Sequence, residues 1–176
     1  MSYFKNIDLK KYNNIIIPNI WNINQICLNT SEENGDNHWE GVGSLGKDWS
    51  KAKTINGALV VPDRKERLKE QDFKFLCNKF KNTVFEYLYN QIINNYQVGR
   101  VRLMKLPPHQ CLSWHADSTD RLHYPIKTNP KCFMVIEDEI KHLPQNEWWL
   151  ANTKENYHTV FNGSEEDRIH LVACLL

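Results

Sequence analysis

Hydrophobic and polar positions alternate in two different rhythms along the chain, and the rhythm changes near Gly99. Before that point the clearest pattern is helical. Leu68, Phe73, Leu76, Phe80, Val84, Tyr87, Leu88 and Ile92 recur mostly at spacings of three and four, which predicts helix within 64–95, broken so that Asp72 or a nearby polar residue starts a second segment. Further upstream IIIPNI and INGALVVP (55–62) read as strands, and NTSEENGDNHWEGVGSLGKDWS as a turn-rich ordered loop or a set of short strands. From Gly99 onward the pattern is that of short strands: VRLMKLP, CLSWHAD, RLHYPIKT, KCFMVIEDE, EWWLANT, YHTVFN and RIHLVACLL, separated by PPH, DSTD, TNP, PQN and NGSEED. Such a series predicts a sandwich or barrel. Combined with the preceding helical stretch it predicts a mainly β jelly roll with N-terminal helices packed on the outside of one sheet. With no repeat, low-complexity tract or linker, 1–176 reads as one domain, 1–98 forming loop and helical support and 99–176 the jelly-roll half.

Composition narrows the function classes. A chain of 176 residues can bury one real core, and a net charge of +1 gives no field favouring nucleic acid or a membrane. The mixed-sign run RKERLKE (64–70) reads as a solvated helix face. The five cysteines are odd in number, scattered and without a CxxC, which argues against a disulfide framework and a structural zinc site. Cys132 and Cys174 lie in apolar runs and are expected in the core. The N-terminus lacks a signal-peptide pattern and no apolar run is long enough to span a bilayer, so the expectation is a soluble, cytoplasmic protein.

The chemistry concentrates around Trp114-His115-Ala116-Asp117. In a strand, residues i and i+2 face one way, so His115 and Asp117 can reach one metal ion. His158, in a separate β run, supplies a third donor. Two imidazoles and a carboxylate form a facial set with three open positions, the arrangement of non-haem Fe(II) oxygenases, whereas zinc more often takes a closed tetrahedral set. A lone His-x-Asp is weak evidence, and an exposed polar strand would look the same. Arg168, ten residues after His158, strengthens it. A 2-oxoglutarate oxygenase chelates its co-substrate through the 1-carboxylate and 2-oxo group, and the far carboxylate needs a bidentate cation such as Arg. The alternative for Arg168 is a surface ion pair with Glu165 or Asp167. A simple hairpin centred on Gly163 would set His158 beside Arg168; a crossing between sheets would place both in one interior.

The stretches RVRLMKLPPHQCLSWHAD, RLHYPIKTNP and HTVFNGSEEDRIHLV together resemble the aspartyl/asparaginyl β-hydroxylase family of 2-oxoglutarate/Fe(II) dioxygenases, which includes hydroxylases of free proline. The likeness covers about Gly99 to the C-terminus; upstream it extends loosely to the Trp- and Gly-bearing loop near 39–45. It implies a cupin-like double-stranded β-helix, Fe(II) and 2-oxoglutarate as cofactors with O2 as co-substrate, and succinate and CO2 as co-products. It assigns His115, Asp117 and His158 to iron and Arg168 to the distal carboxylate of 2-oxoglutarate. It also implies that Arg121 and His123 face the pocket. The animal members lack the carboxylate ligand that Asp117 provides, so the chain is more similar to the small proline-hydroxylase and phage-like members.

Arg121 and His123 form an i, i+2 pair, and two inward donors need an anion beside them, either substrate or 2-oxoglutarate; a solvated strand face is the alternative. Arg121 is therefore the expected anchor for a substrate carboxylate, and His123 a cofactor contact. His170 shares the face of Arg168 and is expected to support it or 2-oxoglutarate. Of Trp148 and Trp149 one belongs in the core and one outside or at the pocket rim. Trp114, Tyr124 and Phe161 are expected to pack rather than react, His109 to lie in an exposed turn, and Asn162 and Ser164 to make a turn. The expected partner is an amino acid or a peptide or protein side chain bearing a carboxylate, such as proline, Asp or Asn. An aspartate ligand leaves no vacant site for halide, which favours hydroxylation over halogenation. Competing readings are a metal-dependent cupin isomerase or a cofactor-free dioxygenase, which would not need Arg168 in the pocket, and a non-enzymatic jelly-roll module binding sugar or peptide, which would need no iron. Fold alone does not choose among them.

Overall fold

The computed structural model describes residues 1–21 and 23–176. Its strands are β1 (Phe4–Ile7), β2 (Gln25–Cys27), β3 (Asn29–Thr30), β4 (Lys53–Ile55), β5 (Ala58–Val60), β6 (Phe75–Leu76), β7 (Val98–Leu106), β8 (Gln110–Cys111), β9 (Arg121–Lys127), β10 (Cys132–Ile136), β11 (Glu139–Lys141), β12 (Trp148–Ala151), β13 (His158–Asn162) and β14 (Arg168–Leu175). One α-helix, α1 (Val84–Ile93), lies before β7. A six-stranded sheet in the order β1-β12-β9-β14-β7-β2 faces a four-stranded sheet in the order β11-β10-β13-β8, every pairing antiparallel. The fold is a jelly roll, a double-stranded β-helix of cupin type.

Side-chain alternation sorts the large sheet into two faces. Val101, Leu103, Leu122, Tyr124, Leu171 and Ala173 point outward and are buried beneath α1, which supplies Phe85, Leu88, Tyr89 and Ile92. The inward face carries Arg102, Met104, Leu106, His123, Arg168 and His170. At one end of the interior, Leu106, Met134, Ile136, Trp149 and Val160 close an apolar core between the sheets. Trp148 is fully buried on the outer face and Trp149 lies in the inner core, so the adjacent pair serves both layers.

The helical expectation for 64–95 is met only over Val84–Ile93, where the Thr83 hydroxyl accepts from the Phe85 N–H as an N-cap. The part before it forms two single 3-10 turns and short extended pieces, and Asn82 takes a left-handed φ of 59° that breaks the chain ahead of the cap. Leu68 and Phe73 pack with Cys27 and Leu45, whereas Phe80 joins the core under α1. Their helical spacing therefore serves separate contacts. INGALVVP falls on a hairpin rather than a single strand: β4 and β5 turn at Asn56-Gly57, both with positive φ. IIIPNI makes no strand; Ile15, Ile17 and Ile20 pack irregularly against the main core. Cys132 and Cys174 are buried, as expected of core residues. No helix among the described residues is long and apolar enough to cross a membrane.

Candidate metal centre and cavity

His115 and Asp117 lie in the irregular stretch after β8, and backbone bonds fix their direction. His115 and His158 exchange both main-chain hydrogen bonds, at 3.1 and 2.8 Å, as an isolated antiparallel bridge. Directly opposed residues project side chains to the same face, and the two imidazole rings lie 4.3 Å apart at their centroids. Asp117 is held by its own N–H on the Thr153 carbonyl and its carbonyl on the Glu155 N–H. One donor atom from each of His115, Asp117 and His158 falls within 4.8 Å of the others.

The histidine tautomers suit a cation. His115 Nδ1 lies 2.7 Å from the Ser113 carbonyl and His158 Nδ1 3.0 Å from the Asn156 carbonyl. A carbonyl only accepts, so each Nδ1 carries a proton, and Nε2 is the nitrogen left to ligate a metal. Both Nε2 atoms turn toward Asp117, at 4.0 and 3.4 Å from its oxygens. Burial alone would raise the Asp117 carboxyl. The contact with His158, with the charges of Arg121, His158 and His115, outweighs it and holds the group at about 2. The carboxylate is therefore ionised at any ordinary pH. The residues present fit a divalent ion with open coordination positions.

The three donors open onto a cavity of about 370 Å³ between the sheets, at the small end of ligand pockets. Arg168 lies within it. The chain reaches Arg168 by crossing between sheets after β13, not by a hairpin. Asn162 pins that crossing, its amide donating to the carbonyls of Leu106 and Glu166 at 2.9 and 2.7 Å while Ser164 donates to its Oδ1. Arg168 is only 5% exposed, and among the described residues it has no carboxylate partner. Glu165 and Asp167 leave it alone; Glu165 instead meets the exposed His109 at 3.0 Å. Burial lowers Arg168 to about 10, which leaves it a cation at neutral pH.

His170 supports it. Arg168 Nη2 donates to His170 Nδ1 at 3.0 Å, which requires that nitrogen to be unprotonated. Burial, reinforced by the charge of Arg168, pushes His170 well below the usual histidine range. Burial together with Arg168 and Arg121 brings His123 down to about 3, so both rings are neutral. His123 Nε2 and His170 Nε2 are buried without hydrogen-bond partners among the described residues, polar atoms that a bound ligand or water would satisfy.

Two placements differ from expectation. Arg121 does not present an open guanidinium to the cavity. Its Nη2 lies 3.1 Å from Asp117 Oδ1 and its Nη1 is bonded to Thr119. The acidic neighbour is four residues back, outside the strand pattern of β9. Trp114, expected to pack inside, is 50% exposed and stacks on Tyr157 at 6.5 Å, because its strand neighbour His115 takes the inward direction. Conversely, Arg100 and Arg102 line the cavity although sequence reading assigned neither a role. The alternation in RVRLMKL was a usable signal, since it places both arginines on one face of a central strand and Val101 and Leu103 on the other.

A jelly-roll β-helix whose cavity gathers a His/Asp/His cluster defines a class of mainly β fold with a candidate metal centre. Within that class the chain belongs to the aspartyl/asparaginyl β-hydroxylase family, whose model matches residues 21–175. Comparison with curated proteins gives no match. Among solved structures it is similar to a cupin domain from Bordetella pertussis Tohama I, with 19% identity over 44% of this chain and 80% of that one at a TM-score of 0.39. It is also similar to an oxidoreductase of the 2OG-Fe(II) oxygenase family from Burkholderia pseudomallei, with 10% identity over 55% of this chain and 54% of that one at a TM-score of 0.40. A predicted oxalate decarboxylase from Thermotoga maritima matches with 16% identity over 49% and 74% of the two chains at a TM-score of 0.39.

Proposed function

We propose that this protein is an Fe(II)- and 2-oxoglutarate-dependent dioxygenase that hydroxylates a carboxylate-bearing amino acid or amino-acid side chain. The observation that carries this reading is Arg168, a buried cation without an acidic partner in the same cavity as the His115/Asp117/His158 cluster. An unpaired buried charge is costly, and a dicarboxylate spanning metal and guanidinium would relieve it. A metal isomerase has no need of it, and a binding module for sugar or peptide has no need of a His115/Asp117/His158 cluster beside it.

In this reading His115 Nε2, His158 Nε2 and one Asp117 oxygen hold the ion, with the two Nδ1–H···O=C bonds fixing the rings. Arg168 would hold the distal carboxylate of 2-oxoglutarate, with His170 keeping the guanidinium oriented. Arg121 holds Asp117 in place. When bound, iron and 2-oxoglutarate supply the oxidising power that inserts one oxygen atom of O2 into a C–H bond, with conversion of the co-substrate to succinate and CO2. The protein positions the reactants and excludes water.

The test is anaerobic. Fe(II)-loaded protein should develop a visible charge-transfer band on adding 2-oxoglutarate, and in air should convert 2-oxoglutarate to succinate in an iron-dependent way. Metal binding with neither effect would overturn the reading.

A further inference from the structure

The cavity holds a second buried cation that the metal and 2-oxoglutarate positions do not use. Arg102 is 7% exposed and lines the same space as the metal cluster. Its contacts are neutral: Gln25 Oε1 at 3.2 Å and the Cys174 thiol at 3.7 Å, while its Nε is buried with no hydrogen-bond partner among the described residues. The acid nearby, Glu70, has both oxygens on Arg100, at 2.6–3.1 Å. The other cavity arginine on the large sheet, Arg121, is taken by Asp117. Among the described residues, then, Arg102 and Arg168 are the cavity arginines without an acid.

The two stand apart along the sheet. Arg102 lies opposite Val172 in the sheet, and Arg168 lies opposite Leu106, four residues further along both strands. At strand rise that separates their backbones by roughly 13 Å. Arg168 and Arg102 thus mark two anion positions, one toward each end of the cavity.

Resting on the function proposed above, we propose that Arg102 is the specificity-determining anchor for the α-carboxylate of a free amino-acid substrate. A guanidinium sunk inside the barrel is reached only by the end of a molecule. Within a peptide chain the α-carboxyl is an amide and carries no charge for Arg102 to pair. A cavity of about 370 Å³ suits 2-oxoglutarate and one further small metabolite better than a peptide. A planar carboxylate would complete the bidentate pairing that Gln25 and Cys174 cannot supply, and would relieve the unpartnered Nε.

The experiment uses full-length protein loaded anaerobically with Fe(II) and 2-oxoglutarate. The twenty common L-amino acids and their carboxamides serve as probes, and perturbation of the charge-transfer band is read for each. At least one free amino acid should shift the band, with its carboxamide weaker by about tenfold or more. Arg102→Gln should weaken that amino acid by about tenfold or more and leave the half-saturating concentration of 2-oxoglutarate within about twofold; Arg102→Lys should fall between. Equal response to acid and amide in the native protein, or no response to any amino acid, overturns the proposal without requiring a variant to fold. Loss of 2-oxoglutarate binding in a folded Arg102→Gln protein also overturns it, because Arg102 would then serve the co-substrate. Absence of any band with 2-oxoglutarate in the native protein defeats the underlying function instead.

Discussion

Arg121 Nη2 sits 3.1 Å from Asp117 Oδ1, joining the first residue of β9 to a member of the metal cluster four residues earlier. This pairing fixes one carboxylate oxygen and leaves the other facing His158 at 3.4 Å. Groups that orient metal ligands typically matter by about 10- to 100-fold in affinity. Arg121→Ala should therefore weaken Mn(II) or Co(II) binding by roughly tenfold, measured by calorimetry or by loss of free-ion Mn(II) resonance. Unchanged or tighter binding would remove Arg121 from the support of Asp117.

The strands that build the site were readable because each carries its own signal: alternation in RLHYPIK and HTVFN, with turn residues at their ends. His115, Asp117 and His158 were readable as a chemical set, and the structure brings them together. Partnerships were not readable. Whether Arg121 is free or paired depends on how the Asp117 loop folds back, and whether Arg168 meets Glu165 depends on the crossing that Asn162 pins. Arg102 is uncompensated because Glu70, thirty residues before Arg100, folds onto that residue instead. Periodicity reports which way a side chain points, not which charge it meets. The same reason explains the helix read too long over 64–83, where apolar spacing mimics a helix but serves contacts in two different clusters.

Removing a metal donor should act more strongly than removing its support. His115→Ala leaves two donors and a lone pair the fold cannot replace. Its Mn(II) or Fe(II) affinity should fall by more than the roughly 100-fold upper range for a supporting partner. His115 is not in the core, so its thermal melting point without metal should hardly change. Native-like metal affinity in this variant would place the ion elsewhere.

Arg168→Ala should spare the metal and lose the co-substrate. A bidentate charge-assisted contact contributes about 2–3 kcal/mol, roughly 30- to 150-fold in 2-oxoglutarate affinity. In anaerobic titrations the half-saturating 2-oxoglutarate concentration should rise by that factor, with Fe(II) affinity nearly constant. Because Arg168 has no acid to leave behind, its loss should not lower folding stability in the absence of ligand. Unchanged 2-oxoglutarate affinity would exclude the assigned role.

The last prediction concerns the ion pair that holds the N-terminal layer against β7. Glu70 meets Arg100 at 2.6 Å, both mostly buried, and also accepts from the Arg100 N–H at 3.0 Å. Burial raises the Glu70 carboxyl, but the hydrogen bond and charge of Arg100 outweigh it, and the net shift is downward. A carboxyl whose folded value lies below its unfolded one binds fewer protons when folded. Its stabilisation is complete above the unfolded value, near the ordinary 4.5, and is lost as pH falls through the folded value. Glu70→Gln should cost about 2–3 kcal/mol at neutral pH, since it leaves the Arg100 charge uncompensated. The difference from the native protein should shrink as pH is lowered from about 6 to about 3. Asp48 and Asp117 titrate alike in both proteins, so the difference isolates Glu70. Urea denaturation at each pH measures it, and a difference that stayed constant or grew toward acid would show that the pair does not act through the Glu70 charge.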